Sequence, residues 1–385
     1  MKRIALVVLL AACVSRPAVV VDPALPPATD AGVARVQKLI EQQPDNVAFH
    51  YVLARHYDRL RDLPNVLREL EELRRRGWDL GIGPHHFPNT RGDARFREAA
   101  ARLEARERAV QRARAAFTFS KERDVRSEGI AYDPADDRFV FSGGPASLLR
   151  VDRGGAITEL SVEPEGRSFE RLGMRVDAER RQLWTLAAVF DAKAPAEEKG
   201  RSVLSVYDLR DGRLLRRISE GSAEQRATLN DLTLLKDGTA FVTDTERDLV
   251  LRLAPDADRF EVVADGLRGP NGIAASADER TLYVADFYGI HTIDLASRSR
   301  RLLETKTPLN AIDGLVEHRG ALIAIQNNLG RPRVLRIRRR KVEVLEAKNP
   351  LLDVPSTGVV AGNQFFFLAN RSNRPAERVV LAIAL

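Results

Sequence analysis

Between residues 31 and 115 the apolar positions recur with a helical period. In AGVARVQKLIEQQP they are Val33, Val36, Leu39 and Ile40, which share one face. NVAFHYVLARHYDRL repeats that face with Phe49, Val52, Leu53 and Tyr57, and RDLPN interrupts it. VLRELEELRRRG adds Val66, Leu67, Leu70 and Leu73, and Gly77 then stands as a helix stop. A further helix is predicted over Ala94–Arg114, packing the segment against the β-rich remainder of the chain. After Thr118 the period changes. Short β-rich runs bounded by polar turns take over and continue to Leu385.

The β-rich part repeats. SEGIAYDPADDRFVFSG, RLGMRVDAERRQLWTLA, LNDLTLLKDGTAFVTDT, PNGIAASADERTLYVAD, IDGLVEHRGALIAIQN and STGVVAGNQFFFLAN share one plan. Each has a marked residue, a small or polar one, a β-rich run, a polar turn and a second β-rich run. The marked residues are Glu128, Leu172, Asn230, Asn271, Asp313 and Thr357, spaced 44, 58, 41, 42 and 44 apart. The long interval holds an insertion, DAKAPAEEKGR, at Asp191–Arg201. Each repeat leaves room for two more strands. Six four-strand units predict a mainly β fold, a six-bladed β-propeller, rather than the competing β-sandwich. RAAFTFS near Phe117 and the terminal RVVLAIAL are expected to share one blade and close the ring. The helices ahead of it resemble a tetratricopeptide unit, expected either to dock on the propeller or to bind a partner protein. The expected divisions are a leader (1–13), a tether (14–30), a helical tetratricopeptide-like domain (31–115) and the propeller (116–385).

In a propeller the innermost strand of each blade lines the central channel, so the six marked residues converge on one mouth. An Asn-Gly or Asp-Gly taken singly is an ordinary turn. Four oxygen-bearing side chains at one phase of one repeat are a different matter: Glu128, Asn230, Asn271 and Asp313 form a hard-oxygen set with two carboxylates to balance a divalent cation. Ca²⁺ suits such a set first, with Mg²⁺, Mn²⁺ or Zn²⁺ as alternatives. Leu172 has no donor atom and Thr357 is a poor ligand.

The pairs Glu128-Gly129, Asn230-Asp231, Pro270-Asn271-Gly272 and Asp313-Gly314 resemble those of the senescence-marker-protein/gluconolactonase/luciferin-regenerating-enzyme family of six-bladed propellers. The resemblance spans about Asp124 to Leu385. It implies a metal held by Glu128, Asn271 and Asp313, with Asn230 as ligand or substrate contact, and lactone hydrolysis among the activities. Thr228 stands where gluconolactonase-like members tend to carry Arg, which argues against a sugar-acid lactone. Ser142, Gln326 (in IAIQNN, which ends at Asn328) and Thr357 are candidate substrate contacts; Asp313 is the candidate proton acceptor, the alternative being a ligand only, with hydroxide formed on the metal. His50, His56, His85, His86, His291 and His318 all fall away from the marked positions. The expected function is metal-dependent hydrolysis of a lactone or related ester. The alternative is a non-catalytic propeller that binds a ligand or protein around a structural Ca²⁺; a metal-free strictosidine-synthase-like propeller is disfavoured by the complete ligand set.

Composition adds compartment and partners. With 44% hydrophobic and 30% charged residues the chain is globular rather than disordered. MKRIALVVLLAAC reads as an export leader whose Leu10-Ala11-Ala12-Cys13 resembles a bacterial lipobox, with Cys13 as the lipidated residue. The expectation is a lipid-anchored, periplasm-facing lipoprotein, most simply of the outer membrane. Cys13 is the only cysteine, so no internal disulfide forms. The net charge of +7 comes from dispersed Arg, with one run at Arg338–Lys341 on an expected hairpin. No reading motif or aromatic platform accompanies it, which excludes a nucleic-acid binder.

Overall fold

The computed structural model describes residues 30–120, 128–143, 147–166, 168–305, 307–327, 332–369 and 377–385. The leader, Cys13, residues 14–29 of the tether and Asn328 lie outside them. Helices α1 (Asp30–Gln42), α2 (Ala48–Arg59), α3 (Leu63–Arg75) and α4 (Ala94–Glu104) precede six antiparallel sheets. Asp62 caps α3, accepting from Asn65 N at 3.2 Å. At the other end Gly77 takes a positive φ of 83°, with Trp78 N bonded to Leu73 O and Gly77 N to Arg74 O. These two bonds satisfy carbonyls that the last turn leaves open.

The inner strands are Ile130–Asp133, Phe169–Asp177, Leu229–Leu234, Ile273–Ala275, Ile312–His318 and Gly358–Ala361. Each touches the next, and the sixth touches the first, so the blades form a closed ring. Blade six combines Gly358–Ala361, Gln364–Leu368, Glu377–Ala384 and, outermost, Arg114–Ser120. The register Phe117↔Val380 joins the two predicted closing segments. This pairing ties the first propeller strand to the last, in a ring with no disulfide.

Among the described residues, one cluster of buried apolar side chains lies between each pair of adjacent blades, and a smaller one lies within blade two around Phe169 and Val203. The period of 2 explains this: Leu322 faces blade four while Ile323 faces blade six. Between blades six and one the packing is aromatic, with the Phe139 and Phe366 ring centroids 4.7 Å apart. The innermost strands crowd one another. A Cβ at Gly272 would lie 2.7 Å from Asp313 O, and one at Gly314 would lie 2.8 Å from Thr357 Cα. That crowding is the reason a glycine comes directly after the marked residue in these repeats.

The last helix is shorter than the sequence pattern predicts. It ends at Glu104, and the chain then adds Val110–Gln111 to the outer edge of blade five, opposite Ala347 and Glu346. Ala113 N donates to the Glu346 carboxylate. Pairing with an open sheet edge takes up backbone groups that a helix would otherwise satisfy, and tertiary context overrides the helical propensity of Arg, Glu and Ala. The helices have a core of their own, which includes Phe49, Tyr51, Trp78 and Phe87 and extends onto Ala311, Phe287 and Tyr288 of the propeller.

Candidate site at the propeller mouth

Asn271 N donates to Ala285 O, and Phe287 N to Arg268 O. The turn at Phe287–Tyr288 therefore lies on the face where the inner strands begin. The helical segment docks on that same face: Phe49 stacks on Phe287 at 5.7 Å, and Asn46 Nδ2 donates to Tyr288 O at 3.2 Å.

At this mouth the Asn271 amide donates from Nδ2 to Asp313 Oδ1 at 2.7 Å. Asn327 Nδ2 donates to Asp313 Oδ2 at 2.6 Å and to Pro355 O at the same distance. Asp313 is 3% exposed. Burial pushes its carboxyl up to about 7, against the opposing pull of the Asn327 and Asn271 donors and with the help of the Asp231 charge. Burial also raises the Glu128 carboxyl well above the usual range, reinforced by the negative charges of Asp313, Glu170 and Asp231. Among the described residues Glu128, Glu170, Asp231 and Asp313 thus share one field. Arg175 Nη2 lies 3.1 Å from Asp231 Oδ1.

Backbone ties hold the ring of side chains in place. Asn230 Nδ2 donates to Thr245 Oγ1 at 3.0 Å, and that hydroxyl donates to Pro270 O at 2.7 Å. Thr243 Oγ1 donates to Asn271 O at 2.7 Å. On the far side, Ser356 Oγ and Thr357 Oγ1 donate to Glu128 O at 2.9 and 3.0 Å.

Of the expected residues, Asn271 and Asp313 are bonded to each other, Glu128 shares their electrostatic field, and Asn230 stands one blade before Asn271. Thr357 joins blades six and one. Ser142 is buried at the last position of its strand; Phe141 beside it pairs with Ile130, which puts Ser142 at the mouth end of blade one, opposite Gly129. The structure does not bring Gln326 to this set. It is fully buried, and its amide is engaged by Arg333, Pro308 and Asn310. Asn327, Asp231, Glu170 and Arg175 went unassigned in the sequence pattern. Asn327 and Asp231 adjoin singled-out residues, but the β-period of 2 sends neighbours to opposite faces, so adjacency gave no warrant.

A divalent cation fits the donors present. Among the described residues the carboxyls of Glu128, Glu170, Asp231 and Asp313 repel one another, and the ring offers hard oxygens. Among the described residues no three His, Cys, Asp or Glu side chains form a metal-holding group. The candidate set has a different composition, two carboxylates and two amides.

Residues 126–316 match the family model described as SMP-30/Gluconolactonase/LRE-like region. The match begins just before Glu128 and ends just after Asp313, so it contains all four candidate ligands. That stretch of the propeller is a domain of the kind this family model describes. A solved gluconolactonase from Xanthomonas campestris is similar at 20% identity and TM-score 0.51, over 72% of this chain and 91% of that one. A luciferin-regenerating enzyme is similar at 11% identity and TM-score 0.50, over 70% and 95%. At these identities both likenesses establish the fold. No curated protein matches the chain.

Proposed function

We propose that the protein is a divalent-metal-dependent hydrolase of lactones or related esters, acting at the propeller mouth. The observation that supports this most is the buried Asp313 carboxyl, held between the Asn271 and Asn327 amides in the field of the Glu128 and Asp231 carboxyls. Glu128, Asn230, Asn271 and Asp313 would hold the cation, Ca²⁺ first among the candidates. Bound there, it would supply Lewis-acid polarisation of the ester carbonyl. The two amide donors fix the orientation of the Asp313 carboxylate, while burial brings its proton affinity close to neutrality, the range useful to a general base. Asp313 takes a proton from water as its oxygen bonds to the ester carbon, and returns it to the alkoxide oxygen when the ring C–O bond breaks. The product is a hydroxy acid. The family-model match and the gluconolactonase likeness support the reaction class.

The test is turnover of a small lactone panel with chelator, with Ca²⁺ restored, and with Asp313→Ala. Turnover that requires Ca²⁺ and disappears in Asp313→Ala is the expected result. Undiminished turnover with chelator present, or in Asp313→Ala, would reject the proposal.

A further inference from the structure

We propose that the helical segment is a working part of the site, and that Asp79, Arg333 and Gln326 are positioning residues for the strand entry that carries Asp313. The inference rests on the role given to Asp313 above, but its geometry stands independently.

The segment that leads into Asp313 is held from two sides. On one side Gln326 donates from Nε2 to Pro308 O at 3.0 Å and to Asn310 O at 2.6 Å. Its Oε1 accepts from Arg333 Nε at 2.7 Å, and Arg333 Nη1 donates to Asp79 Oδ1 in the helical segment at 3.2 Å. On the other side Asn310 Nδ2 donates to Phe287 O at 2.7 Å, and the Phe287 ring stacks on Phe49. Between the two clamps Ala311 has a φ of 58° and packs into the core of the helices. A non-glycine residue in this left-handed region persists only where its surroundings over-determine it. Two residues later comes the carboxylate that Asn271 and Asn327 grip.

Arg333 is an unfavourable choice for stability alone. Its side chain is 2% exposed, whereas its acidic partner Asp79 is 46% exposed and offers a weakly compensating charge. Burial accordingly depresses the guanidinium below its usual range, with Asp79 opposing. A buried ion bonded to a well-solvated acid, with Glu107 as a further opposing charge, is readily surpassed in stability by an apolar side chain. What the guanidinium adds is a rigid fork that reaches Gln326 and Asp79 at fixed angles. The relay therefore runs from helices to Arg333, to Gln326, to the 308 and 310 carbonyls, to Asp313. If it is opened, Ala311 relaxes and the carboxylate leaves its place between the amides.

The experiment compares the wild-type protein with Asp79→Ala, Arg333→Met and Asp79→Glu. It reads hydrogen exchange of the amides of residues 309–313, together with kcat and KM for a lactone in the presence of Ca²⁺. Asp79→Ala is expected to raise exchange in 309–313 at least tenfold, with α2 and blade one unchanged. It is also expected to lower kcat about tenfold with KM within twofold, and Asp79→Glu is expected to restore both. Exchange within twofold of wild type in folded Asp79→Ala would overturn the proposal, as would raised exchange with unaltered kcat. If Arg333→Met fails to fold, the half-exposed Asp79 position still decides. If the wild type hydrolyses no lactone, the functional proposal fails, and exchange alone then decides the relay.

Discussion

Asn271 donates to Asp313 at 2.7 Å across the boundary between blades four and five, although the residues lie 42 positions apart. Each opens an inner strand, so the bond joins equivalent points of successive repeats. It brings an amide and a carboxylate of the proposed ligand set into register.

Asp313→Asn separates the two roles of this carboxylate. Its proton affinity is raised in the folded state, so the metal-free protein loses stability as pH rises from 3.8 through about 7, and the loss is complete above that. In chelator at pH 8, Asp313→Asn is therefore expected to raise Tm: relief of the charge is on the order of 2–4 kcal/mol, set against one lost hydrogen bond where the new NH2 group faces the Asn271 or Asn327 donor. With Ca²⁺ the order reverses and turnover falls at least about a hundredfold. Thermal melts with and without Ca²⁺ check the first claim and lactone assays the second.

Gly314→Ala tests the crowding at the axis. The added Cβ would meet Ser356 O at 2.6 Å and Thr357 Cα at 2.8 Å, so backbone on blade six has to move. A loss of about 1–3 kcal/mol is expected in denaturant unfolding. Ca²⁺ affinity is expected to fall as well, because Asp313 is the preceding residue.

His56 gives the helical segment an acid limit. Burial lowers it from 6.5 to about 4, with the positive charges of Arg59 and Arg55 adding to the effect, and its Nδ1 lies 2.9 Å from Arg59 Nη2. The folded state thus favours neutral imidazole. The associated stability is complete above pH 6.5 and is lost as pH falls from 6.5 towards about 4, on the order of 2 kcal/mol. Unfolding free energies across that window should decline less in His56→Gln than in the wild type.

Cys13→Ser addresses the proposed anchor. In a bacterial host the wild-type chain is expected to fractionate with membranes and incorporate labelled palmitate. Cys13→Ser is expected to do neither. Equal labelling of both would reject lipidation at this residue.

Much of the architecture was legible because a propeller is a local repeat: six strand-turn-strand units each declare themselves by alternation and turn chemistry. The phase of the repeat also singled out Glu128, Asn230, Asn271 and Asp313. Less of the site's support was legible. Gln326 read as a substrate contact, yet its amide is bonded to Arg333, Pro308 and Asn310. Arg175 and Asp231 face each other from blades two and three, 56 residues apart, and no pattern along the chain links them. The predicted helix to Arg114 gave way at Glu104 because the open edge of blade five lay close by.

The sequence by itself determined the blade count, the ring closure, the family resemblance and the set of oxygen-bearing residues at the mouth. The blade count and the phase of that set arise from short-range periodicity, which the backbone geometry of strands translates directly into faces and ends; the ring closure follows from the unpaired strand left at each end of the repeats, and the family resemblance from the strand-opening motifs. Only the tertiary structure decided where the helices sit and what supports Asp313. Docking depends on shape complementarity between Phe49 and Phe287. The support depends on a buried guanidinium that reaches Asp79, 254 residues earlier in the chain. Contacts of that range are selected by packing in three dimensions, which leaves no period in the sequence.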